Sequence, residues 1–204
     1  MVVQVSESDT RHLVDELNKQ VEGEVRFDKM SRALWSTDAS IYQIEPVGIV
    51  LPKAQEDGIA VGEPAERYGV SVLPRGGGTS LAGQTVGESI IVDFSKHMRD
   101  VQEINLEENW VRAQPGIILD ELNDILAPSG VLFAPDPSTS NRGNVGGALG
   151  NNSCGAHSIM WGKTVDNVYD VDVVLANGDT TYFSQIDGSA LESKIRLESD
   201  EGDF

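Results

Sequence analysis

The stretch PRGGGTSLAG, residues 74–83, places three consecutive glycines between a proline–arginine pair and two hydroxyl side chains. A second stretch, NRGNVGGALGNNSCG, covers residues 141–155. Segments 75–83 and 143–162 together contain ten of the chain's 21 glycines, which exceeds ordinary turn usage. Because glycine permits positive φ and close backbone approach, successive N–H groups can converge there on an anion. We therefore predict that the two stretches are two sides of one nucleotide cradle, with a pyrophosphate as the anion.

Two other phosphate-binding patterns fit the first stretch less well. The dinucleotide fingerprint G-x-G-x-x-G fails because Leu81 stands where its third glycine belongs. The pattern G-x-x-x-x-G-K-[ST] nearly matches residues 78–85, but Gln84 replaces the lysine that would reach a terminal phosphate. Residues 76–80 instead suit a nest of backbone N–H groups and hydroxyls, with Arg75 as a nearby charge. The alternative is a plain surface loop.

Length and charge restrict the class of protein. The chain has 204 residues, 39% of them hydrophobic, which is enough for one large domain or two small ones. Its 33 acidic and 15 basic residues give a formal charge of −18, which argues against a surface that binds nucleic acid or anionic membranes. Such acidity predicts a halophilic source, because concentrated salt screens the self-repulsion. An acidic mesophilic protein is the alternative.

Cysteine content and hydropathy bear on disulfides, metal binding and the cellular location of the protein. The single cysteine, Cys154, excludes an internal disulfide and offers no cysteine cluster to a metal, so we predict no metal site. The first residues lack the basic-then-apolar order of a secretory signal, and no run of about 18 apolar residues is present. We therefore expect a cytoplasmic protein with no transmembrane segment, which reaches a membrane peripherally, if at all, through a partner.

Hydrophobic spacing and turn residues predict an alternation of helices and strands. A first helix is predicted to follow a cap at Ser6 or Ser8 and to include Leu13, Leu17 and Val21. Further helices are predicted over residues 29–35, 56–68 and 116–126, and strands over 48–52, 70–73, 89–93, 101–104, 110–113, 170–176 and 180–183. The last two strands are expected to form a hairpin around Asn177-Gly178. In the helix over residues 116–126, the side expected to pack inward carries Ile117, Ile118, Leu122 and Ile125.

Several further motifs complete a family pattern. They are QPG at residues 114–116, APDPSTS at 134–140, the pair Gly146-Gly147, and WGKTVDNV at 161–168. Together with residues 74–83, they resemble the vanillyl-alcohol-oxidase-type (PCMH-type) FAD-binding domain. Within that superfamily the chain most resembles the FAD-linked D-lactate, glycolate and D-2-hydroxyglutarate dehydrogenases, some of which continue into an iron–sulfur region. The resemblance covers residues 38–183.

The resemblance implies an α+β fold, a PCMH-type FAD-binding domain made of two α+β subdomains with FAD between them. On this basis residues 1–37 are expected to form an amino-terminal helical extension and residues 38–100 the first FAD-binding subdomain. Residues 101–190 are expected to form an incomplete second subdomain. Residues 191–204, which are acidic and poor in core material, are expected to be a mobile end.

The resemblance also implies roles for individual residues. The pyrophosphate would be held by Arg75, Gly76, Gly77, Gly78, Thr79 and Ser80. The path of the flavin, ribityl chain and adenine would be lined by Pro115, Asp136, Thr139, Ser140, Gly143, Gly146 and Gly147. A second wall would consist of Asn152, Ser153, Gly155, Ser158, Gly162 and Val168.

Attachment of the cofactor is expected to be noncovalent. Thr79 stands where members of the family with a histidyl–flavin bond carry histidine. Cys154 is expected to be a small packed thiol rather than a tether. His157 and Trp161 replace the arginine and tyrosine expected at their positions, and both changes would alter flavin contacts or access. We interpret His157 as a polar wall residue rather than a metal ligand.

The resemblance implies an oxidoreductase acting on CH–OH groups, in which electrons from a D-2-hydroxy acid pass through FAD to an acceptor, an iron–sulfur region or another subunit. The family's catalytic histidine and carboxylate clamp lie in a later cap domain, so no catalytic residue is assigned here. We interpret the chain as an amino-terminal fragment, or one product of a split gene, that is inactive alone. Two alternatives stay open: a noncatalytic FAD-binding subunit that needs a partner chain, and the cell-wall precursor reductases that share the fold.

Overall fold

A four-stranded sheet flanked by helices forms the first half of the chain. The computed structural model describes residues 6–175 and 178–196. The elements of the first half are α1 (Glu7–Gln20), β1 (Glu24–Arg26), α2 (Lys29–Leu34), β2 (Gly48–Leu51), α3 (Gln55–Arg67), β3 (Val72–Arg75) and β4 (Ile90–Asp93). The strand order is β1-β2-β4-β3; β2, β4 and β3 run parallel and β1 antiparallel to β2. Because parallel strands end at the same edge, the glycine stretch after β3 begins beside the ends of β2 and β4.

Two hairpins and four helices form the second half. The elements are β5 (Val101–Asn105), β6 (Trp110–Ala113), α4 (Leu119–Leu126), α5 (Val145–Gly150), α6 (Ser158–Trp161), β7 (Asp170–Val174), β8 (Thr180–Ser184) and α7 (Gly188–Ile195), with 3₁₀ turns at Ala127–Ser129 and Val165–Asn167. β5 pairs with β6 and β7 with β8, both antiparallel. The strands of the predicted last hairpin are thereby confirmed, while Ala176 and Asn177 lie outside the described residues.

The amino-terminal segment is built into the first sheet. Ser6 caps α1, since its Oγ accepts the Asp9 N–H at 3.1 Å. Leu13 and Leu17 are fully buried and share a core with Val50 of β2. Strand β1 pairs with β2 along its whole length. Within the segment predicted to be an amino-terminal helical extension, residues 24–26 thus form a strand of the first sheet, and the domain boundary at residue 37 stays a prediction.

The helix predicted over residues 116–126 begins only at Leu119. Its expected first turn is drawn into contacts with distant parts of the chain. The Gly116 N–H donates to the Met98 carbonyl at 2.8 Å, and the Ile117 carbonyl accepts the Val145 N–H at 3.0 Å. Backbone groups used in this way cannot close helical hydrogen bonds, so the helix starts later.

The buried face of α4 also differs from the predicted one. Leu119, Leu122 and Leu126 are almost completely buried, whereas Ile125 is 46% exposed. Leu122 stays inward as predicted, while the inward positions on either side of it shift by one residue, to Leu119 and Leu126, which lie three and four residues from it on the same face. Ile117 is buried as predicted, but from the extended segment before the helix.

The carboxy-terminal end is partly helical. Residues 191–195 belong to α7, whose Asp187 cap accepts the Ala190 N–H at 2.8 Å. Residues 191–195 of the end predicted to be mobile are thus helical but without buried side chains, its mobility stays a prediction, and residues 197–204 lie outside the described ones. None of the helices in the described part of the chain combines the length and the apolar character needed to cross a bilayer.

Candidate functional site

The two glycine stretches lie directly against each other. A β-carbon built on Gly77 would fall on the backbone carbonyl oxygen of Arg142, and one built on Gly76 would lie 2.7 Å from Oδ1 of Asn144. Residues 65 to 70 positions apart in the chain therefore meet with no room for a side chain between their backbones. The stretches predicted to be two sides of one cradle are adjacent in space.

Glycine serves different purposes in the two stretches. At Gly76 and Gly77 the space of a β-carbon is already filled by protein, so glycine is needed for the stretches to touch. At Gly147, in α5, a β-carbon would meet no atom within 4 Å, and the residue is exposed. The sequence suggested that a ligand could come close to the backbone at residues 76–78. The structure instead leaves such space at Gly147, in the second glycine stretch.

The first stretch presents polar groups that the protein itself leaves unpaired. In the described part of the chain, the backbone N–H groups of residues 77–81 have no hydrogen-bond acceptor. The buried Ser80 Oγ and the buried Asn144 Oδ1 also have no partner among the described residues. Buried polar atoms are nearly always hydrogen-bonded, so the two buried side-chain atoms indicate a place where a polar ligand completes the pairing. The N–H groups of residues 77–81 lie in a partly exposed loop and can join that pairing.

The second stretch uses its own amides differently from the prediction. The Gly146 N–H donates to the Pro115 carbonyl at 2.9 Å, and a β-carbon on Gly146 would lie 2.7 Å from the Pro115 ring. The Asn144 side chain donates from Nδ2 to the Gly116 carbonyl. The Gly146 amide therefore anchors α5 to residues 115–117, and the anion contacts predicted for the second stretch stay a prediction for its other residues.

A cleft of about 2300 Å³ opens beside the junction. Six of the predicted cofactor-binding residues line it: Arg75, Gly76, Pro115, Gly146, Gly147 and Val168. The remaining predicted residues do not line it: Gly77, Gly78, Thr79, Ser80, Asp136, Thr139, Ser140, Gly143, Asn152, Ser153, Gly155, Ser158 and Gly162. The cleft exceeds the 300–1,000 Å³ typical of small-ligand pockets, so it can hold a large dinucleotide.

Three of the predicted path residues shape the turn before α5. The Thr139 carbonyl accepts the Arg142 N–H at 2.9 Å, which closes the turn. The carbonyls of Ser140 and Gly143 accept the first N–H groups of α4, those of Asp120 and Leu119, each at 3.1 Å. Ser140 and Gly143 therefore cap α4 through backbone atoms, and Thr139 closes the turn that contains them.

Asp136 and His157 form a close pair next to α6. The Asp136 Oδ2 lies 2.5 Å from His157 Nδ1, and Oδ1 accepts the His157 N–H at 3.2 Å. The hydrogen bond from the His157 ring holds the pKa of the Asp136 carboxyl below its usual range. The His157 ring stacks on Trp161 with 4.8 Å between centroids. The two residues that depart from the family pattern thus contact each other.

The predicted second wall is a network of local backbone contacts. The Asn152 Oδ1 accepts the Val165 N–H at 3.1 Å, and the Ser153 carbonyl accepts the Thr164 N–H at 3.0 Å. The Ser158 Oγ accepts the Gly155 N–H at 3.0 Å. These bonds fix the path of the chain from α5 to the second 3₁₀ turn.

Cys154, in the same segment, is exposed. The prediction of a packed thiol is wrong, because the turn after α5 lies at the surface and points this side chain outward.

Sequence reasoning missed the residues that join the stretches. Asn144 and the Arg142 carbonyl form the face that meets Gly76 and Gly77, and Gln84 Nε2 donates to Asn151 Oδ1 at 3.1 Å across the junction. The only signal for Asn144 in the sequence was its residue type, since asparagine often stands directly before the first turn of a helix, as it does before α5. Nothing in the sequence marked the Arg142 carbonyl, since any residue supplies one.

The fold and the opposed glycine stretches define an FAD-binding domain of the PCMH type. The sequence profile described as "FAD binding domain" matches residues 46–184, more than half of the chain. The chain belongs to this family, whose cofactor is FAD.

Named relatives agree with this membership. D-2-hydroxyglutarate dehydrogenase of Pseudomonas putida is 42% identical over 179 residues, a match that covers 86% of this chain and 18% of that relative. Glycolate oxidase subunit GlcD of Bacillus subtilis is 34% identical, with 78% of this chain and 35% of that relative covered. The chain thus spans about a fifth to a third of the length of these relatives.

Solved structures share the fold. An alkyldihydroxyacetonephosphate synthase superposes with a TM-score of 0.76 over 87% of this chain and 38% of its own, at 24% identity. Xylooligosaccharide oxidase from Myceliophthora thermophila superposes with a TM-score of 0.74 over 88% of this chain and 38% of its own, also at 24% identity. At this identity the likeness establishes the mixed helix-and-strand architecture predicted from the motifs.

Proposed function

We propose that this chain is the FAD-binding part of a flavin-dependent D-2-hydroxy acid dehydrogenase. The observation that carries the proposal is the junction of the two glycine stretches: Gly76, Gly146 and Gly147 line the cleft, and the unpaired N–H groups of residues 77–81 lie in the loop that continues from Gly76. The names of the relatives, D-2-hydroxyglutarate dehydrogenase and glycolate oxidase subunit, support the substrate class. D-2-Hydroxyglutarate, D-lactate and glycolate are the candidate substrates.

The residues present fit FAD. The orphaned Ser80 Oγ and the free N–H groups of residues 77–81 are donors of the kind that a diphosphate accepts, and Gly147 leaves the opposite wall open. Bound FAD supplies the two-electron acceptor that hydroxy acid oxidation needs. The part of this chain is to bind and orient that group and to keep its diphosphate out of water. Attachment is noncovalent in this proposal, because the Thr79 hydroxyl lacks the imidazole nucleophile of the histidyl–flavin members.

The proposal also includes the electron acceptor and the cellular location of the protein. Electrons leave through an acceptor, which is an iron–sulfur region or a further subunit, and a subunit of this kind is consistent with the name of the GlcD relative. We place the protein in the cytoplasm, with peripheral contact to a membrane only through that partner. The groups that abstract protons from the substrate and clamp its carboxylate are not assigned to any residue of this chain.

The first experiment titrates the chain with FAD and follows flavin fluorescence, followed by gel filtration and an absorbance spectrum. We expect saturable one-to-one binding and flavin that stays with the protein. Candidate substrates are then added with an artificial electron acceptor. Turnover by the chain alone supports a complete enzyme, and FAD binding without turnover supports an FAD-binding subunit that needs a partner. Absence of FAD binding contradicts the proposal, and dependence on NADPH and a sugar nucleotide indicates the reductase alternative.

The charge of the chain predicts halophilic behaviour. A net charge of −18 destabilises the compact state by self-repulsion, and the Debye length falls from about 10 Å at 0.1 M to about 3 Å at 1 M salt. We expect the melting temperature to rise by about 10 °C between 0.1 M and about 2 M KCl at pH 7. Differential scanning fluorimetry measures it.

The control for the salt effect is the same series near pH 5, close to the pI of 4.3, where the net charge is smaller. There the dependence on KCl should shrink. An equal slope at both pH values would mean that salt acts by exclusion from the surface rather than by screening, and would contradict the halophilic assignment.

A further inference from the structure

The side chain of Arg75 uses three of its five N–H donors at the base of the glycine loop, residues 76–85. Its Nη1 donates to the carbonyls of Trp35 at 3.1 Å and Thr85 at 3.0 Å, and its Nη2 donates to the carbonyl of Thr37 at 2.8 Å. Arg75 is also the last residue of β3, so the chain enters the loop at Arg75 and leaves it at Thr85. One guanidinium therefore ties the two ends of the loop to each other and to the segment after α2.

The loop lies against this guanidinium. Gly78 has a φ of +62°, and a β-carbon built on it would lie 2.6 Å from Arg75 Nη2. The Gly78 carbonyl in turn accepts the Ala39 N–H at 3.0 Å. Glycine at this position is thus required twice, by the backbone conformation and by the arginine underneath. The conformation of the loop therefore depends on where the guanidinium of Arg75 lies beneath Gly78.

Two carboxylates support the arrangement without contacting the arginine. Asp93 Oδ2 accepts the Trp35 Nε1–H at 2.7 Å, and Asp38 Oδ2 accepts the Thr85 hydroxyl at 3.0 Å. They act on the Arg75 charge through space, and burial lowers the pKa of its guanidinium. Arg75 therefore hydrogen-bonds to three neutral carbonyl groups at once. Only a planar guanidinium offers N–H groups in this geometry.

We propose that Arg75 is the positioning residue of the FAD site, which fixes both ends of the glycine loop and does not itself contact the diphosphate. This rests on the proposed function and replaces the direct role in holding pyrophosphate that the family resemblance implied. Its three carbonyl partners occupy Nη1 completely and half of Nη2. The donors offered to the cofactor are then the N–H groups of residues 77–81, and Arg75 holds them in place.

The two roles make opposite predictions for Arg75→Lys. If Arg75 supplied charge to the diphosphate, lysine would keep most of the FAD affinity, because a phosphate accepts a point charge. If Arg75 instead holds three carbonyl groups at once, lysine cannot replace it, because a single ammonium on a flexible side chain does not reproduce the fixed spacing of the guanidinium N–H groups. We therefore expect Arg75→Lys and Arg75→Met to weaken FAD binding about equally, by about 10- to 30-fold each.

The matched control is Arg32→Met. Arg32, in α2, also donates to a backbone carbonyl, that of Pro46 at 2.7 Å, but it does not line the cleft. This variant should lose thermal stability with FAD affinity within about twofold of the wild type. A difference in affinity between the Arg75 variants and Arg32→Met separates positioning of the loop from a general loss of stability.

The second measurement needs no cofactor. Hydrogen exchange followed by mass spectrometry should show faster exchange in residues 76–85 of both Arg75 variants, with the sheet core at β2 and β4 unchanged. If Arg75→Met does not fold, Arg75→Lys, which keeps the charge and most of the volume, carries the test. Wild-type affinity in Arg75→Lys, or unchanged exchange in the loop, overturns the positioning role. Failure of the wild type to bind FAD would instead contradict the proposed function, and the exchange data would still decide the role of Arg75.

Discussion

Replacing Gly147 with leucine will weaken FAD binding by at least about 100-fold, equivalent to about 2.7 kcal/mol, while it stabilises the FAD-free chain. Gly147 lies inside α5, is exposed, and lines the cleft. Its β-carbon position is empty, so a side chain there meets no protein atom and enters the space proposed for the cofactor. Leucine is also a better helix former than glycine by up to about 1 kcal/mol. Loss of ligand with gain of stability is a combination that damage to the fold cannot produce.

A graded series and a control sharpen this prediction. Gly147→Ala should weaken FAD binding by about tenfold, since one methyl group intrudes less, with a similar rise in melting temperature. Gly188→Leu is the matched control, because Gly188 begins α7, also has an empty β-carbon position, and does not line the cleft. Fluorescence titration with FAD and thermal melts of the FAD-free variants provide both readouts. Unchanged affinity in Gly147→Leu would show that FAD does not use the wall formed by α5.

Periodicity was sufficient to predict most elements of the first half. Leu13 and Leu17, four residues apart, are buried on one face of α1, and the continuous apolar run at residues 48–51 is a strand buried on both faces. Such patterns depend on neighbouring residues only, so they can be recognised in the sequence without knowledge of the fold. The adjacency of the two glycine stretches was also predictable, because their glycines favour a shared anion site and because the motifs carry a family pattern.

Long-range contacts account for the elements that were predicted wrongly. Helix α4 starts late because Gly116 and Ile117 bond to Met98 and Val145, partners that no local window contains. The exposed Ile125 follows from that shift. Composition likewise gave no sign that residues 24–26 would become the antiparallel edge strand of the first sheet.

At the candidate site, sequence could name glycines but could not tell what lies beside them. Gly76 faces Asn144, Gly78 faces Arg75, and Gly147 faces open space, although all three stand in similar motifs. The same limit applies to Gly146, whose amide is taken by Pro115. Whether a glycine admits a ligand or another part of the protein depends on tertiary packing, which a single sequence does not contain.

Replacing Gly77 with alanine will remove FAD binding by the opposite route, through loss of the junction between the stretches. Its β-carbon would collide with the Arg142 carbonyl, a backbone atom that moves only if the turn before α5 moves. Overpacking of this kind costs about 1–3 kcal/mol, so the melting temperature of the FAD-free chain should fall by about 3–10 °C, and FAD affinity by at least about 100-fold. Thermal melts and FAD titration measure both. Gly87→Ala, at a loop position with ordinary 3.4 Å contacts, is the control and should change neither much.

Gly76 allows a test of whether contact between the stretches is the cause. There the colliding group is the side chain of Asn144, which can be shortened, whereas the Arg142 carbonyl that opposes Gly77 cannot. Asn144 Oδ1 also lies 3.2 Å from the Gly77 β-carbon position, but the Arg142 carbonyl is the closer obstacle there. Adding Asn144→Ala should therefore recover more of the stability lost in Gly76→Ala than of that lost in Gly77→Ala, a coupling that a double-mutant cycle measures. Equal recovery in both backgrounds, or none in either, would mean that the two stretches do not touch in solution. The proposed cradle would then lack the geometry on which FAD binding depends.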